Sequence, residues 1–162
     1  MKHVILTLSL LALVSCKDSK TQDKKTETVE HASESHNNHQ NHEASGVYAN
    51  AWINEIQKDN GHKWQADATT NEGVKKLQNT INTQSASSLE DYQKLAKQLN
   101  DEKNFVVKNC TMKGPSHDNL HVWLHPLIEK IDALLKVETV EDASKIATSI
   151  EENINAYSDY FK

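Results

Sequence analysis

The stretch TVEDASKIATSIEENINAYSDYF, Thr139 to Phe161, decides the fold. Its apolar residues Val140, Ala143, Ala147, Ile150, Ile154, Tyr157 and Phe161 are separated alternately by three and four positions. That period places them on one stripe of an α-helix about six turns long, whereas a half-buried strand would need a period of two. Thr139 with Asp142 resembles a capping box at its start. Working backward, Leu120, Leu124, Leu127, Ile131 and Leu134 form a second stripe, thickened by Trp123, Ile128 and Leu135. Leu89, Tyr92, Ala96, Leu99, Val106 and Cys110 form a third, with Ser87 and Glu90 as its expected box. Val74, Leu77 and Ile81 make a shorter one, with Thr69 and Glu72 before it. The connections, Thr83 to Ser87, Met112 to Gly114 and Lys136 to Thr139, are short, and short loops force antiparallel neighbours. The chain is therefore expected to be all-α, with an up-down four-helix bundle in a domain over 47–162.

Residues 47–68 do not share this pattern. Trp52, Ile53, Ile56 and Trp64 surround Asn60-Gly61, which suits either a hairpin turn or the glycine stop of a short helix. The expectation is an extended or irregular strap that packs Trp64 on the bundle and leaves His62 exposed. Composition agrees with a helical domain, since 4 Gly and 2 Pro in 162 residues are too few for a turn-rich sandwich or barrel. The net charge is −5, and all 18 basic residues are Lys. A nucleic-acid binder normally carries Arg for bidentate phosphate and guanine contacts, so no nucleic-acid partner is expected.

The N-terminal region reads as an address. Lys2 and His3 precede an uncharged run from Val4 to Val14, long enough for a secretory signal and too short to span a bilayer. The run ends in Leu13-Val14-Ser15-Cys16, which looks like a lipobox. Residues 1–15 would then be removed and Cys16 acylated, which anchors the chain to a membrane through its lipid. Lys17 after the cysteine favours the outer membrane facing the periplasm, and Asp18 leaves surface display open. Residues 16–46 are polar and read as a tether that cannot bury enough surface to order itself. It carries His31, His36, His39 and His42, whose imidazoles can capture copper or zinc; the plainer reading is a solvated linker.

With Cys16 used as the anchor, Cys110 is the remaining thiol of the 2 Cys, and no intramolecular disulfide is expected. Cys110 falls in the third stripe. Gly114 is the expected N-cap of the next helix and Pro115 its first residue, where a missing N–H costs nothing. His117 lies seven residues before Leu124 in the second stripe, and His121 one turn further, a spacing that lets two imidazoles grip one ion. His125 is another turn on and drifts to the flank. Cys110, Met112, His117 and His121 thus form a candidate metal set across one tight turn, suited to copper or, through Cys and His, zinc. Asp118 can orient an imidazole from outside that set. Pro126 is expected to kink the helix beside it.

No nucleophile–base–acid arrangement is evident, so catalysis is not expected. A haem bundle using Met112 lacks any c-type attachment motif. The alternative to a metal binder is a non-catalytic helical interaction module with no metal. One point against copper is that the mature chain would hold a single Met, where many periplasmic copper carriers are rich in it.

The stretch CTMKGPSHDNLHVWLHPLIEKI, Cys110 to Ile131, resembles a recurring pattern in a family of small lipoproteins of Bacteroidota-type bacteria. That pattern reads Cys-Thr-Met-x-Gly-x-x-His-x-x-Leu-His-x-Trp/Tyr-Leu-x-Pro. Lys63-Trp64 and Thr70 to Val74 are similar to the family's upstream part. The resemblance implies a lipoprotein and matches Cys110, Met112, His117 and His121 to the motif's polar positions, while His125 lies outside it. It implies no activity; the metal reading rests on the ligand types.

Overall fold

Among the described residues, four α-helices form where the stripes predict them: α1 Ala68–Thr83, α2 Leu89–Asn109, α3 Pro115–Lys136 and α4 Val140–Tyr160. They belong to a computed structural model that describes residues 46–162; the lipobox with Cys16 and the tether histidines His31, His36, His39 and His42 lie outside the described residues. Each helix packs on the next, α4 returns against α1, and α2 also meets α4, so the up-down four-helix bundle is present. The stripe residues are its core: Leu77, Ala96, Leu99, Val106, Leu127, Ile131, Leu134, Ala143, Ile150 and Ile154 have no solvent exposure. Burial of these faces, rather than intrinsic propensity, holds helices of this length together. Among the described residues no helix is long and apolar enough to cross a membrane.

The helix starts differ in detail from the sequence expectation. Thr139 does cap α4, accepting from Asp142 N and donating to the Asp142 carboxylate at 2.7 Å. For α2 the box is one residue later than Ser87 and Glu90: Ser88 and Asp91 satisfy each other's backbone N–H groups. Both pairs fit the template, and the structure takes the one that sets Leu89 as the first helical residue. Glu90 instead pairs with Lys94 at 2.9 Å. For α1 the cap is Asp67, not Thr69, and Glu72 pairs with Lys76 at 2.7 Å. A carboxylate two residues upstream reaches the Thr70 N–H at 2.6 Å, so Thr69 and Thr70 both fall inside the helix.

The segment before α1 is largely irregular, as expected, with one 3₁₀ turn at Ala51–Asn54. Asn60 and Gly61 both take positive φ and form a tight turn, closed by Asp59 and His62 exchanging backbone hydrogen bonds of 2.9 and 2.8 Å. Of the two options for Asn60-Gly61, the turn is the one realised, and no hairpin ladder extends from it. His62 is exposed. Trp64 packs on the core only in part and is held mainly by backbone: its N–H donates to Tyr160 O at 2.7 Å, and Lys162 N–H donates to Trp64 O at 3.0 Å. The fully packed anchor of the strap is Trp52, 3% exposed, edge-on to Tyr160.

One glycine sets how closely α1 and α2 approach. A Cβ on Gly73 would lie 2.5 Å from Val106 Cγ2 and 3.1 Å from Phe105 Cδ1. Val106 is fully buried and its β-branched side chain has little rotamer freedom in a helix. Gly73→Ala gains about 1 kcal/mol of helix propensity. Overpacking of about 1–3 kcal/mol opposes it, and at this distance the clash prevails. Thermal unfolding is expected to show a melting point several degrees lower, about 3–4 °C per kcal/mol for a domain this size. A raised melting point would mean the helices separate at no cost.

Candidate functional site

The turn from α2 to α3 is held at both ends. Cys110 closes α2, its N–H still donating to Val106 O at 3.0 Å. Gly114 caps α3 with φ 63° and ψ −151°, a conformation open to glycine and strained for other residues. Its carbonyl accepts from His117 N at 2.9 Å and Asp118 N at 3.0 Å, and Pro115 opens the helix as expected. Between them, Thr111 donates its N–H and hydroxyl to Asp67 Oδ2 at 2.6 and 2.9 Å. Asp67 Oδ1 meanwhile accepts from Thr70 N and the Thr69 hydroxyl. One carboxylate thus caps α1 and pins the loop beside Cys110. Partial burial alone would raise its pKa, but the bonds from Thr70 and Thr111 outweigh this and hold it well below the usual carboxylate range.

From this pinned start α3 carries three imidazoles at successive turns. The rings of His117 and His121 have centroids 4.3 Å apart, and those of His121 and His125 are 4.8 Å apart. His117 is half-buried; His121 and His125 are exposed. The helix continues through Pro126 to Lys136. Cys110, His117, His121 and His125 all line one cleft of about 140 Å³, floored by the buried Leu120 and Leu124. Desolvation, with the neighbouring His117 and His125, lowers the His121 pKa against a weaker opposing pull from Asp118. This favours the neutral imidazole, which is the ligating form.

Three of the four residues expected from sequence, Cys110, His117 and His121, therefore share this cleft. Met112 does not line it; the residue lies half-buried against the hydrophobic core. Thr111 is tied to Asp67, 44 positions away in the chain, so no local pattern orients the Met112 that follows it. His125, assigned to the flank by the sequence, does line it, because helical rise keeps i, i+4 and i+8 within reach on one face. Among the described residues, no three His, Cys, Asp or Glu side chains stand gathered around one point as a ready-made metal centre. The arrangement is a row of donors along a wall.

A second cleft of about 370 Å³ lies on the other side of the same histidine row. The strap contributes Gly46, Trp52 and Glu55, and α3 contributes Asp118, His121, His125 and Glu129. Asp118 makes no described hydrogen bond to an imidazole; it faces this second cleft. Sequence reading missed this space because the strap's path over α3 is a tertiary fact.

The strap is fastened by a feature the sequence also concealed. Lys130 is fully buried. Its ammonium donates to Asn50 Oδ1, to Asn153 Oδ1 at 3.0 Å and to Ser149 O at 3.4 Å. Asn50 also accepts from Trp52 Nε1 at 2.9 Å and donates to Glu152 at 3.0 Å, tying the strap to α3 and α4. Lys130 does fall three and four residues from Leu127 and Leu134 on the core stripe, so its position was legible although its chemistry argued against burial.

Comparison of the chain with protein-family models, with curated proteins and with solved structures finds no match. The functional reading therefore rests on the site itself.

Proposed function

We propose that this is a lipid-anchored cell-envelope protein that binds a soft or borderline transition-metal ion, copper or zinc, with Cys110, His117 and His121. The observation that supports it is the shared 140 Å³ cleft, where a thiol and successive imidazoles line an apolar-floored wall. Thiolate and imidazole are ligands for both ions: zinc accepts them at about 2.3 and 2.0–2.1 Å, and the soft sulfur suits Cu(I). The anchor rests on the uncharged run ending at Cys16, and the envelope location follows from it. The Cys-to-Pro stretch, which resembles a pattern of small Bacteroidota-type lipoproteins, supports the same placement. The described residues contain no membrane-crossing helix, which suits an anchor at the N-terminus.

The test is metal retention by the full chain, in a Cys16→Ser background so that the anchor thiol contributes nothing. Zn²⁺, and Cu(I) under anaerobic conditions, are expected to bind at about one ion per bundle site. Cys110→Ala and His121→Ala should each weaken that binding at least tenfold. Equal affinity in the parent and both variants would refute the site. It would leave a helical interaction module as the reading.

A further inference from the structure

The second cleft differs from the first in its donors. Its volume is about 370 Å³, and Cys110 does not line it. From α3 come Asp118, His121, His125 and Glu129, at steps of three, four and four residues, which is one face of a helix. The strap contributes Glu55. The rings of His121 and His125 stand 4.8 Å apart. Among the described residues, no ion pair uses any of the three carboxylates, and no lysine lines the space. Unpaired carboxylates around a cleft make it attractive to a cation. The strap is also tied to α3 on both sides of Glu55. Before it, Asn50 Oδ1 accepts from the Lys130 ammonium; after it, the Gln57 N–H donates to Asn119 Oδ1 at 2.8 Å. Glu55 is therefore held beside the helix that carries the imidazole pair.

We infer that Glu55 joins His121 and His125 to hold a borderline divalent transition-metal ion in the cleft between the strap and α3, so that the ion clasps the strap to that helix. This rests on the proposal that the α3 histidine row binds such a metal. Two imidazoles and a carboxylate form a nitrogen–oxygen set suited to Zn²⁺, whereas the thiol on the other side of the row suits Cu(I). Three protein ligands leave the fourth tetrahedral position to water. The donors border the space without meeting at one point. All three are exposed, and the site closes by side-chain rotation, which exposed residues make within nanoseconds. Asp118 and Glu129 stay at its rim as negative charge. Because His121 lines both clefts, an ion held here is adjacent to the Cys110 side of the row.

A double-mutant cycle tests this. Zn²⁺ is titrated calorimetrically into the full chain carrying Cys16→Ser, and into the same chain with Glu55→Gln, His125→Ala or both. Each single substitution is expected to weaken one Zn²⁺ site about tenfold or more, since loss of even a supporting contact to a metal ligand costs that much. The double variant should be no more than about twofold weaker than the poorer single, because both remove ligands of one ion. Amide hydrogen exchange over residues 51–57 supplies the second readout. Zn²⁺ should slow it in the parent and leave it unchanged in Glu55→Gln. Unchanged affinity in Glu55→Gln, effects that multiply, or strap exchange indifferent to Zn²⁺ in the parent would overturn the inference. Cys110→Ala and His117→Ala run alongside separate the two readings. If they weaken Zn²⁺ binding while Glu55→Gln does not, only the clasp falls. If Glu55→Gln and His125→Ala weaken it while those two do not, the clasp stands and the thiol site falls. If the parent chain binds no Zn²⁺, both fall. Glu55 and His125 are exposed, so helical content should be unchanged in every Glu55 and His125 variant.

Discussion

Trp123→Ala is expected to remove about 3–5 kcal/mol of stability. Trp123 has no solvent exposure and is the largest fully buried side chain among the described residues. Its Nε1 donates to Asn153 O at 2.8 Å, and its ring meets Tyr157 edge-on at 5.0 Å. Truncation would open a cavity, remove the side-chain hydrogen bond to the Asn153 carbonyl and remove the aromatic pair together. Asn153 Nδ2 also donates to Trp123 O, so the two residues bind α3 to α4 through both backbone and side chain. With a urea dependence of about 1–3 kcal/mol per molar, the denaturation midpoint should fall by about 2 M. Trp64→Ala is the control: that ring is half-buried and the residue's fixing bonds are largely backbone, so its loss should be clearly smaller. A loss at Trp123 below about 1 kcal/mol would show that the bundle repacks around the gap.

The second prediction concerns pH. Burial pushes the Lys130 pKa down from its ordinary 10.5 to about 8, with Glu152 and Glu129 resisting the shift. Three acceptors surround the ammonium, and none of them is a carboxylate. Below pH 8 the amine is protonated in both folded and unfolded chains, and the full cost of burying a cation weighs on the fold. Between pH 8 and 10.5 the unfolded chain binds more protons than the folded one, so stability rises with pH. Above 10.5 both states are neutral and the cost is gone. The shift corresponds to about 3 kcal/mol in all. Urea denaturation between pH 7 and 10 should show the parent gaining stability relative to Lys130→Met across that window. The two chains share their other titrating groups, so their difference isolates Lys130. A difference that is flat with pH would refute the account. At pH 7 the methionine variant loses the bonds to Asn50 and Asn153, and the strap should become more open to proteolysis. A fully buried cation is a poor source of stability, and one role that fits it here is register: the three acceptors come from the strap and from two turns of α4.

The helices were legible because each buries a single face, and a single face writes its period directly into the chain. The stripes of α1 to α4, the short connections and the glycine–proline start of α3 all follow from that rule and from backbone sterics. Caps were legible in kind and slipped by one or two residues in place, because neighbouring Ser, Thr and Asp residues offer competing side-chain acceptors whose free energies differ little.

The candidate site was partly legible. Cys110 closes a stripe, and His117 and His121 are one turn apart, so their shared wall followed from periodicity. Met112 falls outside the cleft's lining, and a residue in a turn has no period to orient it; its neighbour Thr111 is fixed by Asp67, 44 positions away in the chain. His125 entered the cleft for the complementary reason, since the width of a helical face depends on what packs beside it.

The sequence by itself determined an all-α bundle of four helices, the order in which they pack and the helix that carries the histidine row. These are consequences of local geometry repeated along the chain. Only the tertiary structure decided that Lys130 is buried, that Asn50 and Trp52 fasten the strap over α3, and that two clefts flank one row of imidazoles. Those features join residues from 19 to 102 positions apart, and such pairings depend on shape and hydrogen-bond complementarity that no local pattern encodes.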